Sequence, residues 1–307
     1  MDEPSLGFLR EQNIGASIID ELQAFRRAHP VPEQFAYRVP QPRVHYLGRQ
    51  VWEQASAALL AGENVLLSGP KATGKNVLAQ DLAYVFGRPE WDVSFHIDMD
   101  ASYLIGTDTY SDGEVTFRPG PICACATAGG FGVLDEINMA RSEALAVLHA
   151  TLDFRRIIDV GGYDLITLDE ATRFIGTMNI GYVGTRELND ALVSRFAIIS
   201  LPPLSADDLQ RLLQREFPTL KPKAAEQVAL LFGEIRKKCE EGQISDKPLD
   251  LRGLMNAVKL VEHGLDLCEA LQVCLVNKTF DSYERELVQD CIDARVPRSL
   301  HAGDVFD

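Results

Sequence analysis

The sequence predicts an α/β fold, in which a mostly parallel sheet is covered by helices on both sides and followed by a small all-helical domain. Between about residues 44 and 203, short apolar runs alternate with segments of helical periodicity, as expected for parallel strands joined by crossover helices. After residue 204 the apolar spacing is helical throughout. We therefore expect three regions: an N-terminal helix and arm (1–43), an α/β core (44–203) and a helical domain (204–307).

The first region contains one clear amphipathic helix. Its apolar residues recur at helical spacing: Ile18, Ile19, Leu22 and Phe25. The string Ser17-Ile18-Ile19-Asp20 predicts a capping box at its start, and His29-Pro30-Val31-Pro32 predicts its end. Pro40 and Pro42 favour an extended arm after it.

The second region contains five apolar runs that predict strands: Asn64–Ser68, Asp92–Ile97, Phe131–Leu134, Arg173–Thr177 and Ala197–Leu201. Helices are expected at Lys75–Phe86 and after Ser142. Two polar insertions with turn residues at their tips, Asp108–Arg118 and Arg156–Asp169, predict hairpins. In the third region we expect four helices: Asp207–Phe217, Ala224–Cys239, Asp250–Glu262 and Tyr283–Ile292.

Composition excludes several classes of function. The formal net charge of -15 disfavours binding to nucleic acid, because it repels phosphates. No apolar run approaches the length of a membrane span, and the acidic N-terminus does not resemble a secretory signal, so we expect a cytoplasmic protein. None of the six cysteines forms a C-x-x-C pair, which favours reduced thiols over a metal site.

The strongest chemical signal lies between the first predicted strand and the helix that follows it. It predicts a phosphate-binding loop formed by Gly69, Pro70, Lys71, Ala72, Thr73, Gly74, Lys75, Asn76 and Val77. Backbone N–H groups and the helix N-terminus would surround the phosphates, and Lys75 would reach the β- and γ-phosphates. The alternative, a glycine-rich turn without a ligand, is disfavoured by the strand–loop–helix context.

One position of this loop departs from the usual pattern. Asn76 stands where serine or threonine supplies a hydroxyl to Mg²⁺. Its amide oxygen can also coordinate a hard cation, so we expect Asn76 to take part in metal binding. The alternative is a protein that binds nucleotide but hydrolyses it slowly.

Acidic residues follow another apolar strand, in Val133-Leu134-Asp135-Glu136. We expect the two carboxylates to point to opposite faces of the strand. Asp135 would then hold Mg²⁺, while Glu136 would polarise the attacking water.

Three further polar residues complete the candidate site. Asn179 ends a core strand and could reach the γ-phosphate, although a turn-forming asparagine is the alternative. Arg195 precedes the last core strand and could act on a neighbouring subunit's nucleotide, or form a surface salt bridge instead. Arg252 opens a helix of the third region and could reach the nucleotide, although a structural ion pair explains it equally well.

The order and spacing of these signals, over about residues 44–262, resemble those of AAA+ ATPases. Four strings are more specifically similar to the MoxR group, near its NorQ/CbbQ and GvpN branches: Val44-His45-Tyr46-Leu47-Gly48, Gly176-Thr177-Met178-Asn179, Gly184-Thr185-Arg186-Glu187-Leu188-Asn189 and Ser194-Arg195-Phe196. The two insertions resemble the helix-2 insert and the pre-sensor hairpin of that clade.

The resemblance implies a homo-oligomer, a hexameric ring with ATP and Mg²⁺ at its subunit interfaces. It implies that Lys75 binds phosphate, Asn179 senses the γ-phosphate, Arg195 acts as an arginine finger and Arg252 as the sensor of the helical lid. Proteins of this group commonly act with a partner that carries a von Willebrand factor A domain, and they activate metalloenzymes. We therefore expect remodelling of a client protein, with a nucleotide-gated switch of little hydrolysis as the alternative.

Overall fold

The computed structural model describes residues 6–111, 113–180, 187–297 and 300–307. The chain divides into two compact units. The first comprises Met1–Pro70 and Gly74–Pro202, and the second comprises Lys71–Thr73 and Pro203–Asp307. Among the described residues, no helix has the length and apolar character needed to cross a membrane.

The centre of the first unit is a five-stranded parallel sheet with the strand order β2-β5-β8-β1-β9. Its strands are β1 Asn64–Gly69, β2 Glu90–Ser94, β5 Phe131–Asp135, β8 Arg173–Asn179 and β9 Phe196–Ser200. The parallel sheet with flanking helices confirms the predicted fold class. Strand β2 lies earlier in the chain than its apolar run suggested, since the ladder with β5 ends at Ser94.

Helices and two hairpins surround this sheet. The helices of the first unit are α1 Gly7–Glu11, α2 Ala16–Ala28, α3 Arg49–Leu60, α4 Lys75–Phe86, α5 Ala101–Ile105, α6 Pro121–Thr127, α7 Ser142–Leu145, α8 Leu148–Thr151 and α9 Asp190–Val193. The antiparallel hairpins are β3 Gly106–Ser111 with β4 Glu114–Pro119, and β6 Ile157–Ile158 with β7 Ile166–Thr167. Both insertions are thus hairpins, while two short helices replace the one expected after Ser142.

Both faces of the sheet are buried, because successive strand residues supply separate apolar clusters. Val65 packs into the cluster that includes helices α1 to α4, whereas Leu66 packs into the cluster on the other face. Ile175 and Phe174 of β8 divide in the same way. This burial accounts for the continuous apolar runs that predicted the strands.

The predicted capping box at Ser17 is wrong. Helix α2 has Gly15 at its N-cap, and no side chain caps it. The Gly15 N–H instead donates to Glu53 Oε1 of α3 at 3.2 Å, and the Ser17 hydroxyl donates to Glu21 at 3.3 Å. A tertiary contact therefore satisfies the helix start, which local sequence patterns do not reveal.

The described residues of the second unit form helices and one β-bridge, between Leu220 and Phe306. Its helices are α10 Ala206–Glu216, α11 Pro222–Glu240, α12 Leu251–Glu262, α13 Leu267–Cys274, α14 Ser282–Arg295 and α15 Ala302–Val305. The four predicted helices are present, and α13 and α15 are additional. The three regional boundaries 1–43, 44–203 and 204–307 stay a prediction about domains.

Glu90, at the start of β2, is a partly buried carboxyl group. Burial, with a smaller contribution from Asp92, raises the pKa of Glu90 to about 7. The Glu90 carboxyl group loses its proton near its ordinary pKa in the unfolded chain and near 7 in the folded chain. The free energy of unfolding therefore falls as the pH rises between these two values. We expect Glu90→Gln to raise the free energy of unfolding by about 1–3 kcal/mol at pH 8, with little effect at pH 5.

Urea denaturation of both proteins at several pH values measures this difference. The matched control is Glu114→Gln, at an exposed glutamate of β4, which should show no such pH dependence. Equal stability of wild type and Glu90→Gln at pH 8 would contradict the expectation.

Candidate nucleotide-binding site

The carboxyl ends of three neighbouring strands meet at one edge of the sheet. Strands β5, β8 and β1 are adjacent and parallel. In their register Gly69 pairs with Asn179, and Leu134 pairs with Gly176. Since parallel strands all end at the same edge, the loop after β1, the carboxylates after β5 and Asn179 lie side by side, where ligands bind in open α/β sheets.

The loop between β1 and α4 has the backbone expected of a phosphate-binding turn. Gly74 and Ala72 have φ values of 82° and 63°, in the left-handed region. A Cβ atom at Gly74 would lie 3.2 Å from Tyr46 Cδ2 and would require that ring to shift, so the backbone and the close contact both favour glycine here. Within this loop Gly69 and Thr73 are buried and Pro70 is exposed, while Val77 contributes to the core beside it.

Tyr46 belongs to a segment that hydrogen bonds fasten beside the loop. Its N–H donates to Asp81 Oδ2 of α4 at 2.7 Å. Its carbonyl accepts from Gln12 Nε2 at 2.9 Å and from Trp52 Nε1 at 3.0 Å. The N-terminal region therefore supports the wall of the candidate site, which sequence reasoning did not anticipate.

Lys75 is buried at the start of α4. Its Nζ donates to the carbonyls of Gly69 at 3.0 Å and Pro70 at 2.7 Å. Burial lowers the pKa of Lys75 to about 8, and the nearby carboxylates of Asp135 and Glu136 act in the opposite direction. A cation so placed is available to phosphate oxygens at this edge.

The two carboxylate residues differ in backbone conformation. Strand β5 ends at Asp135, and Glu136 follows with φ 54° and ψ 43°. The alternation of a strand therefore does not apply to Glu136, and the expectation of opposite strand faces is wrong. Left-handed backbone at a non-glycine residue is strained and needs support from its surroundings.

Glu136 and Asn179 lie within hydrogen-bonding distance. Asn179 Nδ2 donates to Glu136 Oε1 at 3.2 Å, and Glu136 is exposed. Asn138 Nδ2 donates to the carbonyl of Asn179 at 3.1 Å. The structure thus places the carboxylate that was predicted to polarise the water beside the amide that was predicted to reach the γ-phosphate.

Sequence reasoning missed Thr177 and Asn138. Thr177 donates to Asp135 Oδ1 at 2.6 Å and accepts from the Glu136 N–H at 3.0 Å. Asn138 is 3% exposed, and its Oδ1 has no hydrogen-bond partner among the described residues. For Thr177 the available signal was a polar residue inside the strand Arg173–Asn179. For Asn138 it was a polar residue three positions after Asp135.

The donor atoms at this edge fit a hard cation bound with phosphate. Asp135 supplies a half-buried carboxylate at the end of β5, and half-buried Asn76 supplies an amide oxygen in the first turn of α4. Oxygen ligands from carboxylates, amides and phosphates suit Mg²⁺. Asp135 and Asn76 are therefore the residues that would hold the ion.

Arg195 lies at the opposite edge of the sheet, the one formed by the amino ends of the parallel strands. It precedes Phe196, which pairs with Asn64 at the start of β1. Its guanidinium donates to the carbonyls of His149, at 2.9 Å, and Ala191, and Nη2 pairs with Asp153 Oδ2 at 3.1 Å. The salt bridge that was the alternative for Arg195 is therefore present, with Asp153 as its partner. Because the phosphate loop lies at the carboxyl ends of the strands, Arg195 cannot reach the loop of its own subunit.

Arg252 is an exposed residue in the first turn of α12, in the second unit. Asp250 caps that helix by accepting from the Arg252 N–H at 3.0 Å. The residues 184–186 of the third resemblance string, and Asp112 of the first hairpin tip, lie outside the described residues.

Comparison with known proteins agrees with this geometry. The family model described as "AAA domain (dynein-related subfamily)" matches residues 64–196, which contain the phosphate loop, both carboxylates, Asn179 and Arg195. The matched segment thus begins at β1 and ends at the first residue of β9.

Two proteins of similar sequence are themselves uncharacterized. The uncharacterized protein YojN of Bacillus subtilis (strain 168) is 32% identical over 241 residues, which are 77% of this chain and 79% of that protein. The uncharacterized protein SAB1265c of Staphylococcus aureus (strain bovine RF122 / ET3-1) is 29% identical over 249 residues, or 79% of this chain and 94% of its own length. With its parallel sheet and phosphate loop, the chain belongs to the AAA domain family of ATPases, in the dynein-related subfamily.

Proposed function

We propose that this protein binds ATP with Mg²⁺ and hydrolyses it in a ring of identical subunits, to remodel or activate a partner protein. The observation that carries the proposal is the meeting of Lys75, Asp135, Glu136 and Asn179 at one sheet edge. Their chemistry matches phosphate binding, metal binding, activation of water and sensing of the γ-phosphate, respectively.

The position of Arg195 supports a ring rather than a single subunit. It lies at the sheet edge opposite the phosphate loop of its own subunit, so a nucleotide that it contacts would have to be held by a neighbour. Beside it is a cavity of about 420 Å³ whose lining includes Phe154, and Phe154 is 91% exposed. An exposed aromatic side chain next to a cavity is suited to contact with a second subunit.

In this structure the Asp153 salt bridge holds Arg195 against its own subunit. For Arg195 to act in trans, that pair must open or reorient as the neighbour docks. Hydrolysis would then depend on assembly of the ring, because each site would need residues from two subunits.

The more specific proposal is a MoxR-like ATPase that forms a hexamer and works with a partner carrying a von Willebrand factor A domain. It rests on the four resemblance strings and on the two hairpins. The two hairpins contact each other. Tyr163, between β6 and β7, donates to Asp108 Oδ1 of β3 at 2.7 Å, and the Tyr163 ring lies 5.2 Å from the ring of Phe117 in β4. The exposed cross-strand pair Tyr110 and Val115 gives the first hairpin an apolar surface, which we propose faces the client.

A second candidate function is a nucleotide-gated switch with little turnover. It is favoured by Asn76, which offers an amide at the position where a hydroxyl usually binds the metal. In this proposal, as in the first, Arg252 would read the nucleotide state from the helical unit.

Mixing two inactive variants tests the shared site. Glu136→Gln removes hydrolysis from its own site but keeps Arg195, whereas Arg195→Ala keeps its own site but lowers turnover at the neighbour's site at least about 100-fold. Random co-assembly in equal amounts should restore about a quarter of wild-type ATP turnover, because a quarter of the interfaces then combine an intact Glu136 with an intact Arg195.

The matched control mixes Glu136→Gln with Lys75→Ala, since both changes affect a subunit's own site and no interface is complete. This mixture should stay inactive. If the Glu136→Gln and Arg195→Ala mixture is also inactive although a tag on one variant co-purifies the other, Arg195 does not act in trans.

Substitution of Asn76 distinguishes the two candidate functions. In an active ATPase, Asn76→Ala should lower turnover about 10-fold or more by removing a metal ligand, whereas Asn76→Ser should keep turnover within about threefold of wild type. ATP turnover across Mg²⁺ concentrations measures this. Wild-type turnover near zero, together with a large gain in Asn76→Ser, would instead support the switch.

A further inference from the structure

Thr177 occupies a position from which one hydroxyl contacts both carboxylate residues. It lies two residues before Asn179 on β8 and is 1% exposed. The hydroxyl donates to Asp135 Oδ1 at 2.6 Å and accepts from the Glu136 N–H at 3.0 Å. The direction of both bonds is determined, because the Glu136 N–H can only donate and an ionised carboxylate can only accept.

The bond to Asp135 restricts the orientation of that carboxylate. An O–H group that donates to an ionised oxygen at this distance is a charge-assisted hydrogen bond, stronger than a neutral one. It engages Oδ1 and so orients the remaining carboxylate oxygen. A residue that orients a metal ligand in this way typically affects metal affinity about 10- to 100-fold.

The bond to Glu136 supports the strained turn. The β5–β8 ladder pairs Leu134 with Gly176 and goes no further along β5, so the ladder supplies no acceptor for the Glu136 N–H. Thr177 supplies that acceptor where Glu136 adopts its left-handed backbone. The same turn brings Glu136 Oε1 to 3.2 Å from Asn179 Nδ2.

We propose that Thr177 is a positioning residue of the hydrolytic site, which orients Asp135 for Mg²⁺ and sets the backbone turn that aims Glu136. The inference rests on the proposed ATPase function and deepens it. In this role Thr177 acts through the two carboxylate residues that it contacts, not on the nucleotide or the metal directly.

Two substitutions separate the hydroxyl from the volume of the side chain. Thr177→Val keeps the size and branching of threonine but removes both hydrogen bonds, whereas Thr177→Ser keeps the hydroxyl. The matched control is Thr172→Val, just before the opposite end of β8. Thr172 is fully buried and its hydroxyl donates to the carbonyl of Ala126 at 3.0 Å, far along the strand from the carboxylates.

The primary measurement is nucleotide binding rather than turnover. A fluorescent ATP analogue is titrated with Mg²⁺ and with EDTA, in the Glu136→Gln background, to obtain the factor by which Mg²⁺ increases affinity. We expect Thr177→Val to reduce that factor about 10-fold while affinity in EDTA changes less than about twofold. Thr177→Ser should restore it, and Thr172→Val should leave it unchanged despite a comparable loss of thermal stability.

Turnover provides the second measurement. With Glu136 intact, Thr177→Val should lower kcat about 10-fold or more and raise the Mg²⁺ concentration needed for half-maximal turnover. If Thr177→Val and Thr172→Val reduce stability alike and neither changes the Mg²⁺ factor, Thr177 is structural and the inference is wrong.

The proposed function can fail separately. A wild-type protein that binds nucleotide but does not turn it over would contradict hydrolysis, and the Mg²⁺ factor would still test Thr177. If the wild-type protein binds no nucleotide, the proposed function and the inference about Thr177 are both wrong.

Discussion

The candidate site depends on the parallel alignment of three neighbouring strands, β5, β8 and β1. Because these strands are adjacent and run in the same direction, their carboxyl ends bring together residues far apart in the chain. Gly69 and Asn179 become lateral neighbours, and Asp135 ends the strand on the other side of β8. Burial of both faces of the sheet holds this arrangement, since a strand that slipped by one residue would exchange its two apolar sets.

The sheet brings the strand ends close together, and hydrogen bonds between them then orient the side chains of the candidate site. Thr177 joins β8 to Asp135 and to the backbone of Glu136, and Asn179 joins β8 to the Glu136 side chain. Asn138 returns a bond to the carbonyl of Asn179. The strained backbone of Glu136 therefore lies within a network that can hold it, which is the usual condition for strain at a functional site.

The two edges of the same sheet have different chemistry. One edge carries the phosphate loop and the carboxylates, while the other carries Arg195, held by Asp153 beside the exposed ring of Phe154. The proposed ring would bring opposite edges of neighbouring subunits together. In the proposed ring, hydrolysis would depend on contacts between subunits, because each site would combine residues from two chains.

Local sequence patterns were enough to predict the five strands, although β2 was placed too late in the chain. They also predicted the loop from Gly69 to Lys75 and the adjacent carboxylates Asp135 and Glu136, because buried strands and glycine-rich turns leave such patterns. The tertiary structure was needed to show which strands are neighbours, and therefore that Asn179 lies beside Glu136. It also decided that Gly15, not Ser17, begins α2, and it revealed the role of Thr177 in the network. These features depend on partners distant in the chain, and the hydrogen bonds that create them leave no periodic signal in the sequence.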